Sequence, residues 1–306
     1  MLRYLVRRLL QTIPVLIMLT AILFTVTRLR GDPVLQFVAP DATDAEIEST
    51  RRAYGFDRPL VEQYVRFLGG ALRGDFGESF RFRQPALPLV LERVPATLTL
   101  TFAALLIAWL IALPTGIVSA MRHNSALDLA ATSVSVVGRA MPNYWMGIML
   151  ILVFGVQLRW LPVSGTGDGE WQYLVLPALT LGLGVATTLT RLIRSSMLEV
   201  IRQEYITTAR AKGLSELTVM LRHALRNSLI SVVTVFGLQI GWLLGGAIIV
   251  EQVFAWPGMG RLMLQAVYTK DMAMLQAGVF VSAVLIIAIN LLVDISYTLL
   301  DPKIRY

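Results

Sequence analysis

Cysteine is absent from the 306 residues, which excludes disulfides, thiolate metal sites and cysteine nucleophiles. Charge is scarce as well: 15% of the residues are Asp, Glu, Lys or Arg, against about 25% in a soluble domain. Histidine occurs twice, at His123 and His223. Both fall in predicted cytosolic loops and read as solitary surface residues, and two histidines do not complete a metal site. No G-x-x-x-x-G-K-[ST] loop is present to cradle phosphates, so the chain is not expected to hydrolyse ATP by itself. The apolar segments offer no cluster of nucleophiles, acids or metal ligands, as a membrane-embedded enzyme requires. They show no internal repeat and no acidic residue at a span centre, as a stand-alone secondary transporter usually does. That transporter is kept as the rival reading.

What is present is apolar. Hydrophobic residues make up 56% of the chain and the mean hydropathy is +0.66. Long uncharged stretches alternate with charged ones, the pattern of a polytopic membrane protein. Six segments reach the roughly 20 apolar residues of a spanning helix: Leu9 to Thr27, Val94 to Met121, Ala130 to Leu158, Trp171 to Thr190, Asn227 to Val250 and Met272 to Val293. Only the third contains a charge, Arg139. The first could be a cleaved signal peptide, but its length and the lack of an A-x-A site favour a retained anchor. The fold class is therefore all-α, with six transmembrane helices.

The net charge of +7 lies next to apolar spans, which fits positive-inside topology better than nucleic-acid binding. Arg3, Arg7 and Arg8 precede the first span, and Lys303 and Arg305 follow the last. Arg191, Arg194, Arg202, Arg210, Lys212, Arg222 and Arg226 crowd the connection between spans four and five. Both termini are thus expected in the cytosol (N-in/C-in). The organisation is residues 1–29, a cytosolic N-terminus and first span; 30–93, an external helical segment; 94–300, the core with spans two to six; and 301–306, a cytosolic tail. In the external segment Thr43-Asp-Ala-Glu46 reads as a capping box and Gly55 as a helix stop. After Pro59, the residues Leu60, Val61, Tyr64, Leu68 and Leu72 recur at helical spacing. This segment is either a small lid on the membrane domain or a docking surface for an external partner.

The stretch 199–226 is the most informative. Ile201, Tyr205, Thr208 and Ala209 share one helical face. Arg210 and Lys212 occupy the last turn, and Gly213 can take the positive φ that ends the helix. Ser215 then caps a second helix with the stripe Leu217, Met220, Leu221 and Ala224. A basic helical hairpin is predicted between two spans, and the small residues Ala209, Ala211 and Gly213 would let a partner approach closely. Alternatively it is a solvated connector or an anionic-lipid contact.

Tyr205-Ile-Thr-Thr-Ala-Arg-Ala-Lys-Gly213-Leu resembles the coupling-helix (EAA) motif of binding-protein-dependent ABC permeases, in the branch serving dipeptides, oligopeptides, glutathione and nickel. His223-Ala-Leu-Arg-Asn227 matches its continuation. The resemblance extends along the chain through Gly31-Asp-Pro33, Gly55-Phe-Asp-Arg-Pro-Leu60, Arg73-Gly-Asp-Phe-Gly77, Trp160-Leu-Pro162, Val253-Phe-Ala-Trp-Pro-Gly-Met-Gly-Arg-Leu262 and Leu300-Asp-Pro302. Thr207 and Thr208 stand where the family has its acidic residue and first alanine, and the general motif's ending is degenerate. These departures point to the peptide and nickel branch over sugar or phosphate branches.

The resemblance implies a type I ABC importer permease fold and alternating access. It implies a second homologous permease subunit, two ATPase subunits that carry the ATP and Mg, and an external solute-binding protein. No cofactor is expected on this chain itself, and its other surroundings are membrane lipid. Thr207, Thr208, Ala209, Arg210, Ala211, Lys212, Gly213 and Leu214 are the expected ATPase contact. The imported solute would be a small peptide, with glutathione or a nickel chelate as alternatives.

Other residues are weighed on their spacing. Gly237, Gly241 and Gly245 repeat every four positions, as at close helix contacts in bilayers, either inside this chain or at the seam with the second permease. Arg139 is an intramembrane cation that pairs with Asp294 or meets a substrate carboxylate. Pro142 kinks its span, and Asn143 and Tyr144 beside it are pathway candidates. Trp256-Pro-Gly258 reads as an external turn, re-entrant or interfacial.

Overall fold

A computed structural model of the chain describes residues 2–29, 34, 38, 39 and 41–300. Gly31-Asp-Pro33, the Asp-Pro of the terminal motif, Lys303, Arg305 and the side chains of Arg3 and Arg7 lie outside the described set. Helix dominates that set because a segment in hydrocarbon must satisfy its own backbone hydrogen bonds. The chain forms two compact units, one from the residues up to Val94 with Leu262–Ile287, the other from Pro95–Arg261 with the stretch beginning at Ala288.

The first unit holds α1 (Leu2–Leu29), α2 (Asp44–Ala53), α3 (Leu60–Leu72), α4 (Ala86–Leu91) and the first part of the last helix. The Thr43 hydroxyl accepts from the Glu46 N–H and the Glu46 carboxylate accepts from the Thr43 N–H, so the expected capping box is present. That N–H holds the Glu46 carboxyl below its ordinary range. Gly55 takes φ +70° after α2. Phe24 of α1 packs edge-on against Tyr64 of α3 at 5.5 Å. The apolar stripe of α3 turns out differently from its spacing. Gln63 is buried, whereas Leu60, Val61 and Leu72 are exposed. The cause is polar: the Gln63 amide donates to Phe56 O at 3.1 Å and accepts from Arg28, which draws that face inward. A cavity of about 1070 Å³ lies within this unit, with Arg28, Tyr54, Phe56, Gln63 and Arg66 among its walls.

The second unit is built on α5 (Val94–Met121) and α8 (Gln172–Ile201). On α5 the buried face is Ala104, Ala108, Ala112, Gly116 and Ala120, small residues every four positions that let helix backbones approach. A Cβ on Gly182 of α8 would stand 2.7 Å from the Ala104 carbonyl oxygen, and one on Gly116 would stand 2.8 Å from Ile193. These two contacts show that α5 and α8 run in the same direction. Between them in sequence lie α6 (Ala126–Ala140) and α7 (Asn143–Leu150), the latter continued as a π-helix over Ile151–Gln157. The pair is bent by 107° at its break. Expected as one kinked helix, it is two helices, because the Pro142 ring and missing N–H stop the hydrogen-bond ladder there.

By length and composition five helices can cross a membrane, or six if this bent pair is one span. The contacts favour six. Asp128 at the start of α6 binds Arg194, while Gly147 of α7 packs on Thr180 at the other end of α8. The pair therefore returns the chain from one end of the α5/α8 pair to the other. The chain continues through α9 (Glu204–Ala211), the short α10 (Glu216–Thr218), a π-helical turn over Val219–Leu225, α11 (Arg226–Val253), α12 (Met259–Thr269) and α13 (Met272–Leu300). Stacking of Trp109 on Phe236 at 5.1 Å and the bond from Thr97 to Glu251 set α11 antiparallel to α5.

Candidate functional site

The hairpin between α8 and α11 is short, capped and tied to the core. α9 carries two buried residues, Ile206 and Ala209, one turn apart, and both join the hydrophobic cluster that includes Ile193 and Met197 of α8. The predicted face is thereby shifted. Ile201 belongs to α8, and Tyr205 and Thr208 are exposed. α9 ends at Ala211, and Gly213 takes φ +78°, the conformation foreseen for it. The Ser215 hydroxyl accepts from the Thr218 N–H at 3.4 Å, as expected of an N-cap.

The second arm is not a separate helix. It runs through the π-turn straight into α11. A π-turn advances about five residues per hydrogen bond, which brings Val219 and Ala224 inward with Met220 and leaves Leu217 and Leu221 exposed. Across the turn Arg210 grips Glu216 through both oxygens, at 2.7 and 3.1 Å. This fork lowers the Glu216 carboxyl and raises the Arg210 guanidinium. Tyr205 OH accepts from Asn227 Nδ2 at 2.7 Å. The hairpin is thus anchored on its inner side and bare on its outer one. Thr207, Thr208, Arg210, Ala211, Lys212, Gly213 and Leu214 are all exposed, and Ala209 alone of the expected contact residues is buried. The smallness of Ala209 serves packing within this chain.

An ion cluster at the foot of the hairpin's helix was not legible in the sequence. Asp128 is buried, and Arg194 meets it bidentately, Nε to Oδ1 at 2.6 Å and Nη2 to Oδ2 at 2.8 Å. The Ser119 hydroxyl and the Asn124 N–H also donate to it. His123, read from sequence as solitary, has its Nδ1 3.0 Å from Arg194 Nη2. The cluster joins the end of α5, the start of α6 and α8 only a few residues before the hairpin.

A second buried carboxylate, Glu251 near the end of α11, was also missed. Its oxygens accept from Thr97 Oγ1 at 2.6 Å and from the Arg261 N–H at 2.9 Å. Thr97 Oγ1 in turn accepts from Met259 N at 2.8 Å, and Trp256 Nε1 donates to Ala96 O at 2.9 Å. The Trp256-Pro-Gly258 turn is therefore held against α5 through a buried polar knot. A Cβ on Gly258 would collide with Glu251 and one on Gly260 with Ile248, so the knot closes only with glycine at both places.

Of the pathway candidates, Arg139 is exposed and its Nη1 donates to Thr188 Oγ1 of α8 at 3.1 Å. Among the described residues it forms no ion pair with Asp294. Pro142 is the N-cap of α7, and Asn143 and Tyr144 open that helix. The Asn143 amide oxygen faces Gly184, 3.6 Å from where a Cβ would stand. The glycines of α11 are unequal: Gly237 is buried, Gly241 half-buried and Gly245 exposed with open space around it. Within this chain the small residues of α5 also make a close helix approach. No group of three or more His, Cys, Asp or Glu capable of holding a metal occurs among the described residues.

Comparison with known proteins places this geometry. Residues 112–306 match the family model described as binding-protein-dependent transport system inner membrane component, and residues 1–101 match that for the N-terminal part of such membrane components. The oligopeptide transport system permease protein AppB of Bacillus subtilis is 39% identical over 313 residues, covering 99% of each chain. The glutathione transport system permease protein GsiC of Escherichia coli K12 is 41% identical over 307 residues and covers all of both chains. The fold is shared with the inward-facing methionine ABC transporter MetNI, at TM-score 0.59 and 20% identity over 70% of this chain and 96% of that one. It is shared also with an amino acid ABC transporter, at TM-score 0.54 and 17% identity over 69% and 93%.

Proposed function

Because the chain belongs to the family of binding-protein-dependent transport system inner membrane components, we propose that it is one of two homologous permease subunits of an ATP-driven importer of small peptides. It is a multi-pass inner-membrane permease of the type I importer fold. The proposal concerns its partners, orientation and cargo. Two ATPase subunits, which carry the ATP and Mg, grip the hairpin tip at Thr207, Thr208, Arg210, Ala211, Lys212, Gly213 and Leu214, with Ala209 seating the tip from below. Both termini face the cytosol. A solute-binding protein delivers cargo from outside, and rigid-body rocking of the helices opens the path alternately to each side. Arg139, Pro142, Asn143, Tyr144 and Asp294 line that path, and the exposed Gly245 end of α11 meets the second permease.

The observation that carries this reading is the one-sided hairpin, buried through Ile206 and Ala209 and bare across its tip. A loose connector has no reason to be seated in the core. Force on such a tip passes directly into α8 and α11. Peptide is the cargo because the similar permeases named above serve oligopeptide and glutathione systems, and glutathione is itself a tripeptide. The test is to co-express the chain with a second permease, the ATPase subunits and candidate binding proteins, and to measure ATP hydrolysis in proteoliposomes. Stimulation by a peptide-loaded binding protein is expected. Solute uptake by this chain alone, driven by an ion gradient, would overturn the proposal in favour of a secondary transporter.

A further inference from the structure

Among the described residues, two arginines of the second unit, Arg139 and Arg191, have no acidic partner. Arg139 ends α6 and reaches only the Thr188 hydroxyl. Arg191 lies three residues beyond Thr188 on α8, hence on the same helical face. Its Nε is buried, with no hydrogen-bond partner among the described residues. From sequence Arg191 served only as a topology marker. Its neighbour Arg194 is neutralised by Asp128.

Depth sharpens the point. Thr188 lies six residues from Arg194 and eight from Thr180, about 9 and 12 Å along α8. The ends of that interval are fixed by the Asp128–Arg194 pair and by the packing of Gly147 on Thr180. Arg139 is therefore held near the middle of α8. A charged group at the middle of a membrane span is costly unless it is paired or faces water. The backbone beside it is broken at Met141-Pro142 and is not sealed inside the chain: Ala140, Pro142, Tyr144 and Trp145 are exposed. Broken backbone at membrane depth is tolerated only where it is covered by protein or lines a watery cavity. Along this stretch of α8 Asn143 faces Gly184, Arg139 sits on the Thr188 hydroxyl and Arg191 follows one turn further on, so two cations without acidic partners lie within two turns of the exposed break.

We propose that Arg139 and Arg191 receive the carboxylate of the solute in transit, so that this permease selects carboxylate-bearing cargo. The inference rests on the permease reading and narrows its substrate class to free peptide acids over cationic chelates or amides.

The absence of native cysteine allows a direct test. In the full complex in phosphatidylcholine nanodiscs, Asn143→Cys is reacted with an anionic sulfonatoethyl and a cationic trimethylammonioethyl methanethiosulfonate, and modification of this chain is read by mass. The anionic reagent is expected to react about tenfold faster. Arg139→Gln and Arg191→Gln should each reduce that preference several-fold, and Arg139→Lys should retain most of it. A tripeptide with a free C-terminus should protect the reporter at lower concentration than its C-terminal amide. Failure of both reagents to react, a preference unaffected by the two Gln variants, or equal protection by acid and amide overturns the proposal. So does a preference abolished by phosphatidylglycerol, which would mark a lipid headgroup site. Missing ATPase stimulation would instead count against the permease partners, since the reagent preference is read without it.

Discussion

Replacing Arg194 by glutamine should be the most damaging single change in the second unit that leaves its hydrophobic core intact. Asp128 has a side chain 5% exposed and takes two bonds from the guanidinium. Removing one partner of a buried pair typically costs 3–5 kcal/mol, because the remaining charge is stranded. Here the Ser119 hydroxyl and the Asn124 N–H stay in place, and Arg194 is 24% exposed, so water can enter the vacated space. We therefore expect about 2–3 kcal/mol for Arg194→Gln. Asp128→Asn should cost about 1 kcal/mol, since the freed guanidinium can turn to water while the Ser119 contact persists. The double variant should be no worse than Arg194→Gln, a coupling of more than about 1 kcal/mol. Unfolding of the assembled complex in mixed micelles titrated with SDS, followed by tryptophan fluorescence, reads these differences. An Arg194→Gln variant within about 0.5 kcal/mol of the parent, or strictly additive single changes, would refute the reasoning.

Three further outcomes follow from single contacts. Gly260→Ala places a Cβ 2.7 Å from Ile248 Cα and 3.0 Å from Glu251 Oε2; it should destabilise by about 1–3 kcal/mol, whereas Gly245→Ala, which meets nothing within 4 Å, should be neutral in the same SDS titration. Gly213→Ala also meets nothing within 4 Å but must hold φ +78°, so its stability cost should be only about 1 kcal/mol, and a loss of coupled ATPase activity well beyond that would report the partner's contact. Because Arg210 lowers the Glu216 carboxyl, the fork contributes fully above the ordinary glutamate range and is lost as pH falls through the lowered value. Both side chains are more than a third exposed, so its worth is at most about 0.5 kcal/mol, and hydrogen exchange of residues 204–213 should differ between the parent and Glu216→Gln at neutral pH but converge in acid.

Local features were legible in the sequence where they depend on local chemistry. The Thr43/Glu46 box, the positive φ of Gly213 and the Ser215 cap each rest on residues within a turn of one another, the apolar spans rest on the composition of a continuous run, and these are found, the third span as a bent pair. What escaped depends on distant partners. Asp128 meets Arg194 across 66 positions, and Glu251 meets Thr97 across 154. Periodicity carries no such information. The small-residue face of α5 was overlooked because its positions are mostly alanines, which do not stand out in an apolar run as glycines do. The α6–α7 break was underestimated because Pro142 alone signals a kink, and the fixing of a 107° bend also requires docking of each half on α8. The face of the hairpin's second arm was mis-set because helical spacing assumes 3.6 residues per turn, and a π-turn intervenes.

The claim that a motor protein grips the hairpin is tested most directly by chemical proximity. In the cysteine-free chain, Lys212→Cys labelled with a benzophenone maleimide should, on irradiation of the assembled complex, give an adduct with an ATPase subunit whose yield changes with ATP. In sealed cells the same position should resist a membrane-impermeant maleimide. An irradiated complex that hydrolyses ATP yet yields no adduct with an ATPase subunit, or a Lys212 position open to the impermeant reagent from outside, would contradict it.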